Sequence, residues 1–399
     1  MRKFNFWIKL CFINFFIVSV VGTMMRYNIA FSLPGFSHKF MQESHSHFAF
    51  YGWVSAAIYL FVTRYLDETS MRIMISKYRF LMISNLIGAY GMLLTFLYGG
   101  YFWLSIVFAS VALFTGFAYF AFLLIDLRSD QRPETVWLKS GAFFAVFSSL
   151  GIFGLSYFSA RKDDFEILFR ASTYFYLHYQ YNGFFLFSCV GLFLISLKKY
   201  GIQIPEKLNR TVFYLLFSGC FLGYCLSILW LNIYWSLRIF FILISLMQLF
   251  GGVRLFIWVR NQKFPSEQKI QKLLLTVFGF VFLAKFVLQS LSVIPALGAV
   301  TFSNINVVIA YLHLVLLMGI SIFLIWLLLQ SENIQMTKTL KVSTLILISA
   351  IVCNEVILFL SAIFSVANIA FSTSKYWLLF ISVVIVISIA GFIRSLKLR

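Results

Sequence analysis

The chain has 399 residues, of which 61% are hydrophobic and only 11% are charged. Soluble domains carry about 25% charged residues, so the composition excludes an ordinary soluble protein. The net charge of +19 would suggest nucleic-acid binding in a soluble protein. Here the basic residues stand in short segments between apolar runs, so we interpret them as membrane-topology signals and expect no nucleic-acid partner.

Successive apolar runs of about twenty residues predict helices that cross a lipid bilayer, since a β-barrel would show ten-residue alternating segments. We predict an all-α integral membrane protein with about twelve transmembrane helices in a single polytopic domain, residues 1–399. The first run lacks a small-residue cleavage pattern and is interpreted as a retained span. In chain order the predicted spans are 5–31, 45–66, 79–99, 102–126, 137–159, 174–197, 210–231, 233–258, 271–296, 304–330, 342–365 and 376–395.

If the chain crosses the membrane twelve times, most of the 32 lysines and arginines lie on the same side of the membrane as the N-terminus. Loops rich in these residues face the cytoplasm, which predicts both termini inside. We therefore expect a multi-pass protein of the cell inner (cytoplasmic) membrane, with the lipid bilayer as its surroundings.

All five histidines fall in the outer half of the membrane in this topology. They are His38, His45, His47, His178 and His313. His38 lies in the outer loop before span 2, and His45 and His47 lie at the start of that span. His178 lies early in span 6, and His313 lies about 14 Å into span 10 at 1.5 Å per residue. An imidazole inside a bilayer is costly unless it is paired or bound to something.

Two interpretations of these histidines stay open. Facing helices could supply two imidazoles to a haem, or the side chains could be hydrogen-bonded within a transporter bundle. His45 and His47 point about 200° apart on a helix, so they cannot both serve one face of an iron. Either one could be the ligand.

Three short motifs resemble a known family. The stretch Ala310-Tyr311-Leu312-His313-Leu314-Val315-Leu316-Leu317-Met318-Gly319 is similar to the tenth helix of haem–copper oxidase catalytic subunits (subunit I), which has an Ala-His-x-His-x-Val-Leu-x-Met-Gly pattern. There the first histidine binds the high-spin haem and the second binds the low-spin haem. His313 matches the second, and Tyr311 stands in place of the first.

The other two motifs lie on spans 6 and 2. The segment that begins at His178 resembles the His-x-x-x-Glu-Gly pattern of the nitric-oxide-reductase branch, with Asn182 in place of the glutamate. The segment that opens with His45 and His47 is similar to the family's second helix and to the opening of NnrS-type membrane proteins. The resemblance implies a divergent subunit I-like bundle.

The departures from the family limit the chemistry that the resemblance implies. Span 7 lacks the family's histidine pair, and Tyr311 removes the usual high-spin ligand, although tyrosinate ligates haem elsewhere. The resemblance implies a retained low-spin haem b site, held by His45 or His47 and His313. It implies an incomplete second-metal site at His178, for copper or iron. The expected role is electron transfer or a nitric-oxide or redox response, and enzymatic activity stays uncertain.

Other polar residues in the spans leave alternatives open. Arg26, at the outer end of span 1, could pair with a haem propionate or simply lie at the interface. Lys285, Glu355 and Arg254 could form the central site of a secondary transporter or flippase, and Lys285 with Glu355 could be a buried pair. A non-catalytic respiratory assembly factor is the third alternative. The expected partners of a haem protein here are respiratory membrane subunits or quinol.

Overall fold

The computed structural model describes residues 2–69, 75–231, 233–264, 269–331 and 334–396. These residues form helices and turns without a β-strand. A short helix, Pro295–Ser303, precedes the tenth long one. The twelve long helical segments are α1 Arg2–Phe31, α2 38–69, α3 Ile75–Gly99, α4 Trp103–Asp126, α5 Pro133–Ser159, α6 Glu166–Lys198, α7 Glu206–Ile228, α8 Trp235–Arg260, α9 Lys269–Leu291, α10 Ile305–Leu329, α11 Lys338–Val366 and α12 Ser374–Ser395.

Eleven of the described helices are long and apolar enough to cross a membrane, which makes this a multi-pass membrane protein. Helices satisfy every backbone group internally, as lipid requires. The segment outside these eleven is α2, which carries several polar residues in its first turns. It is nevertheless one continuous helical segment. It begins at His38 rather than at 45, and α6 begins at Glu166 rather than at 174, so the predicted starts of spans 2 and 6 were wrong.

The helices that carry the histidines are the most buried ones. In α6 and α10, 94% and 72% of the most apolar 18-residue stretch is buried, and in the other nine candidate spans of the described residues this share is 50% or less. In α2, residues 52–63 are buried without interruption. The buried stretches of these three helices therefore have protein around them, whereas Glu166–Leu177 and Ile305–His313 contain no buried residue.

Each histidine-bearing helix also contains a π-helical segment of eight residues. The segments are Phe48–Ser55 in α2, His178–Phe185 in α6 and Leu314–Ser321 in α10. The first follows His47, the second begins with its histidine, and the third follows His313. Short π-helical insertions are rare and occur often at functional sites, because they rotate the side chains that follow.

The chain divides into two compact units. Unit 1 comprises residues 1–115, 268–275 and 312–399, and unit 2 comprises residues 116–267 and 276–311. Unit 1 thus contains His45, His47 and His313, whereas unit 2 contains His178 and Tyr311.

Candidate functional site in unit 1

His45 projects from α2 toward α1. Its Nδ1 lies 3.0 Å from the carbonyl oxygen of Val18, so Nδ1 carries the proton and donates it to that carbonyl. Gly22, one turn further along α1, leaves room for the ring, since a Cβ there would lie 3.1 Å from His45 Cε1. The remaining lone pair is on Nε2. This is the arrangement of metal-ligating histidines, in which a backbone carbonyl fixes the tautomer and the opposite nitrogen binds the metal.

His47 projects from α2 toward α3. Its Nδ1 lies 2.8 Å from the carbonyl oxygen of Glu43, and the Tyr101 hydroxyl lies 3.3 Å from its Nε2. The ring stacks on Phe96 with centroids 4.4 Å apart. Burial, together with the Glu43 charge, raises the pKa of Tyr101 to about 12, so the hydroxyl keeps its proton and can donate to Nε2. Both nitrogens of His47 are thus engaged, unlike those of His45.

A hydrogen bond joins α2 to α10 within their π-helical segments. The Trp53 indole N–H donates to Ser321 Oγ at 2.9 Å, and Ser321 donates to the Leu316 carbonyl at 2.8 Å. His45 precedes Trp53 by eight residues, and His313 precedes Ser321 by eight residues. Each histidine therefore lies the same number of residues along its helix from the same contact.

His313 has further interactions within the protein. His47 lies two residues closer to the contact than His45 does and is therefore less well matched to His313 in position.

Asparagine side chains hold the π-helical segment of α2 in place. Asn14 of α1 donates through Nδ2 to the Gly52 carbonyl at 2.5 Å, and Asn85 of α3 donates to the Tyr51 carbonyl at 2.8 Å. Tyr90 of α3 donates to Asn14 Oδ1 at 2.6 Å. A π-helical segment disturbs the regular α-helical bonding, so carbonyls there need partners. Helices α1 and α3 supply them.

Charged groups lie near His45 within the same unit. Arg26 of α1 interacts electrostatically with His45 and with Glu355 of α11. Glu355 is 8% exposed, and Asn354 Nδ2 donates to its Oε1 at 3.0 Å. Glu355 therefore has its partners in unit 1, whereas Lys285 of unit 2 donates to Gln289 Oε1 at 2.7 Å. The suggested pairing of Lys285 with Glu355 is not among the ion pairs of the described residues.

His178 of unit 2 is fully hydrogen-bonded. Its Nε2 lies 2.9 Å from the Cys220 carbonyl oxygen and therefore carries the proton. Its Nδ1 accepts from Asn182 Nδ2 at 3.1 Å and from Ser227 Oγ at 3.2 Å. A metal at His178 would have to displace these partners. Among the described residues no group of three or more histidine, cysteine or acidic side chains could hold a metal ion.

Tyr311 belongs to unit 2 and meets Tyr181 edge to face, with ring centroids 6.3 Å apart. The expected roles of Tyr311 at a haem and of His178 at a second metal stay predictions. The supporting residues Gly22, Asn14 and Trp53 were missed in the sequence. A polar residue within an apolar run was a signal for Asn14, but nothing in the sequence pairs it with Gly52.

Comparison with protein-family models and with curated proteins finds no match for this chain.

Proposed function

We propose that this protein is a haem-binding integral membrane protein that serves electron transfer or a nitric-oxide or redox response. The observation that carries the proposal is the geometry of His45. Its protonated Nδ1 is fixed by the Val18 carbonyl, its Nε2 keeps a lone pair, and Gly22 makes room for its ring. His45 and His313 each stand eight residues before a partner of the Trp53–Ser321 hydrogen bond, which supports a pair of axial ligands.

The residues of unit 1 fit a low-spin haem b. His45 and His313 would hold the iron, which leaves no coordination position for a substrate and favours electron transfer. The bound haem would supply one-electron redox chemistry. Arg26 would pair with a propionate, because a guanidinium binds carboxylates through charge-assisted hydrogen bonds. The buried π-helical segments would keep the two histidine-bearing helices in register and keep water away.

The wider proposal follows from the resemblance to haem–copper oxidase subunit I. It includes twelve spans with α2 among them, both termini inside, and a location in the cytoplasmic membrane. It also includes respiratory subunits or quinol as electron partners. The engaged nitrogens of His178 argue for a second site without a metal, and so against oxygen reduction of the ordinary terminal-oxidase type.

An absorption spectrum of the purified full-length protein tests the proposal. We expect a Soret band that shifts on reduction with dithionite, and loss of that band in His313→Ala. His38→Ala is the matched control, since His38 is the first residue of α2, seven residues before His45, and is not a proposed ligand. A protein without a Soret band, or an unchanged band in His313→Ala, would refute a haem held by His313.

A transport function is the second candidate, and Lys285 favours it. This side chain is only 2% exposed and donates to the neutral Gln289, so its charge is not neutralised by a carboxylate among the described ion pairs. A buried cation within a span is a frequent feature of substrate sites. Uptake into proteoliposomes that is abolished by Lys285→Met but unaffected by His45→Ala would support transport over haem binding.

A further inference from the structure

Lys285 is a buried cation in unit 2. It stands six residues before the end of α9 and is only 2% exposed. Its ammonium group has three N–H donors, of which one donates to Gln289 Oε1 at 2.7 Å. In the described part of the chain the other two N–H groups have no hydrogen-bond acceptor. The Phe286 ring, whose centroid lies 4.1 Å from Lys285 Nζ, adds an attraction between cation and ring but no negative charge.

The acidic residues of unit 2 stand away from the middle of its helices. Helices α8 and α9 contain no acidic residue. Helix α7 begins with Glu206, which is exposed and pairs with Arg210 at 2.7 Å, and the acidic residue of α6 is its first, Glu166. A buried ammonium is costly unless a counter-charge accompanies it, so we expect the counter-charge to come from outside the chain. The described acidic residues of unit 2, all in loops or in the first or last turn of a helix, are Asp126, Asp130, Glu134, Asp163, Asp164, Glu166 and Glu206.

Helix α8 packs against α9 beside Lys285. Ser290 Oγ of α9 donates to the Ser245 carbonyl oxygen of α8 at 3.3 Å. The Phe286 ring lies against Gly252, where a Cβ would stand 2.5 Å from its Cδ2. These two contacts occur in opposite order along the two helices, so α8 and α9 are antiparallel here. Gln248 is 2% exposed and stands on α8 between the two contact residues, on the same face of the helix.

Amide groups add hydrogen-bond donors to the ammonium. Gln248 Nε2 donates one N–H to the Gly219 carbonyl oxygen at 2.7 Å and has a second N–H. The Gln289 carboxamide turns its oxygen toward Lys285, so its NH₂ group points elsewhere and can donate. A positive charge surrounded by donors repels cations and favours an anion, since hydrogen bonds to an ionised partner are about twice as strong as neutral ones.

We propose that Lys285 binds one small monovalent anion, a halide or a carboxylate, between α8 and α9. One ammonium needs one negative charge, which sets the charge of the ligand. The site goes beyond the proposed function and does not depend on it, because Lys285 belongs to unit 2 whereas His45 and His313 belong to unit 1. It also gives the substrate class for the transport function considered above.

Binding of radiolabelled chloride to the purified full-length protein tests the proposal. The protein is kept in nonionic detergent with sulfate as the other anion, because sulfate carries two charges. We expect saturable binding of one chloride per chain. Displacement of chloride by acetate at a lower concentration than by bromide identifies a carboxylate as the preferred ligand, and the reverse order identifies a halide. Either order supports an anion site.

Lys285→Met should weaken chloride binding at least about tenfold, because it removes a charge-assisted hydrogen bond. Lys162→Met is the matched control and should bind chloride as the wild type does. Lys162 belongs to the same unit and also faces a phenylalanine, with Nζ 5.1 Å from the Phe169 centroid, but it is exposed.

Gln289→Glu keeps the lysine and places a carboxylate where the amide oxygen now accepts from it. This variant should lose chloride binding, and its midpoint of thermal unfolding in the sulfate buffer should be higher than that of the wild type. Absence of saturable chloride binding in the wild type would refute the site, as would an affinity that is unchanged in Lys285→Met or in Gln289→Glu. His45→Ala should bind chloride normally, so that failure of the haem proposal and failure of the anion site are distinguished.

Discussion

Replacing Asn14 by leucine should destabilise unit 1 by about 2 kcal/mol. Asn14 is completely buried, donates to the Gly52 carbonyl and accepts from the Tyr90 hydroxyl. Leucine has a similar volume but leaves both groups without their partner. Hydrogen bonds between transmembrane helices are worth about 0.6 kcal/mol on average and about 1.7 at most, so two short, buried ones give roughly 1–3 kcal/mol.

Tyr90→Phe separates the two contributions to this effect. It removes the hydroxyl but keeps the ring that meets Phe48 edge to face. In the wild-type background, Tyr90→Phe should lower the free energy of unfolding by about 1 kcal/mol. In the Asn14→Leu background it should leave that free energy unchanged, because the Tyr90 hydroxyl has already lost its acceptor there. The expected coupling energy is therefore about 1 kcal/mol.

Reversible unfolding of the purified protein in mixed detergent micelles measures these free energies. The slope of the unfolding curve should stay unchanged, so that midpoints can be compared directly. The free energy of unfolding of Asn14→Leu could lie within about 0.5 kcal/mol of the wild-type value, or the effects of the two substitutions on it could be additive. Either result would mean that Asn14 does not hold the π-helical segment in place.

Three further predictions concern the proposed ligand geometry. His45→Ala should abolish the Soret band, whereas His47→Ala should retain it because both His47 nitrogens are engaged within the protein, and an opposite result would make His47 the ligand. Gly22→Leu should reduce the haem content per mole of protein severalfold without unfolding the protein, because the leucine side chain must displace the His45 ring. Haem extraction measures this content, and an unchanged haem content would contradict the close approach of Gly22 to His45. Trp53→Phe and Ser321→Ala should each cost about 1 kcal/mol of unfolding free energy with a coupling near 1 kcal/mol, and additive costs would mean that the indole–hydroxyl bond contributes nothing.

Composition and hydropathy alone are enough to identify a helical membrane protein. Length and apolar composition suffice for that, because each membrane helix satisfies its own backbone hydrogen bonds without reference to its neighbours. The sequence predicted twelve spans. Eleven of the described helices are long and apolar enough to cross a membrane, and the predicted span 45–66 lies in α2, which is outside those eleven. The haem-binding role, which rests on three short motifs, stays a prediction.

The packing of the helices, which the sequence does not reveal, sets which histidine nitrogens are hydrogen-bonded within the protein. The hydrogen bond from Trp53 to Ser321 joins residues 268 positions apart, and that from Asn14 to Gly52 joins residues 38 apart. Hydropathy is blind to such pairings, because it records how apolar a side chain is and not which way it points. It is equally blind to a π-helical segment, which changes the hydrogen-bonding register and leaves the composition as it was. The difference between His45 and His47, two residues apart in one helix, comes from Val18 on one side and Tyr101 on the other.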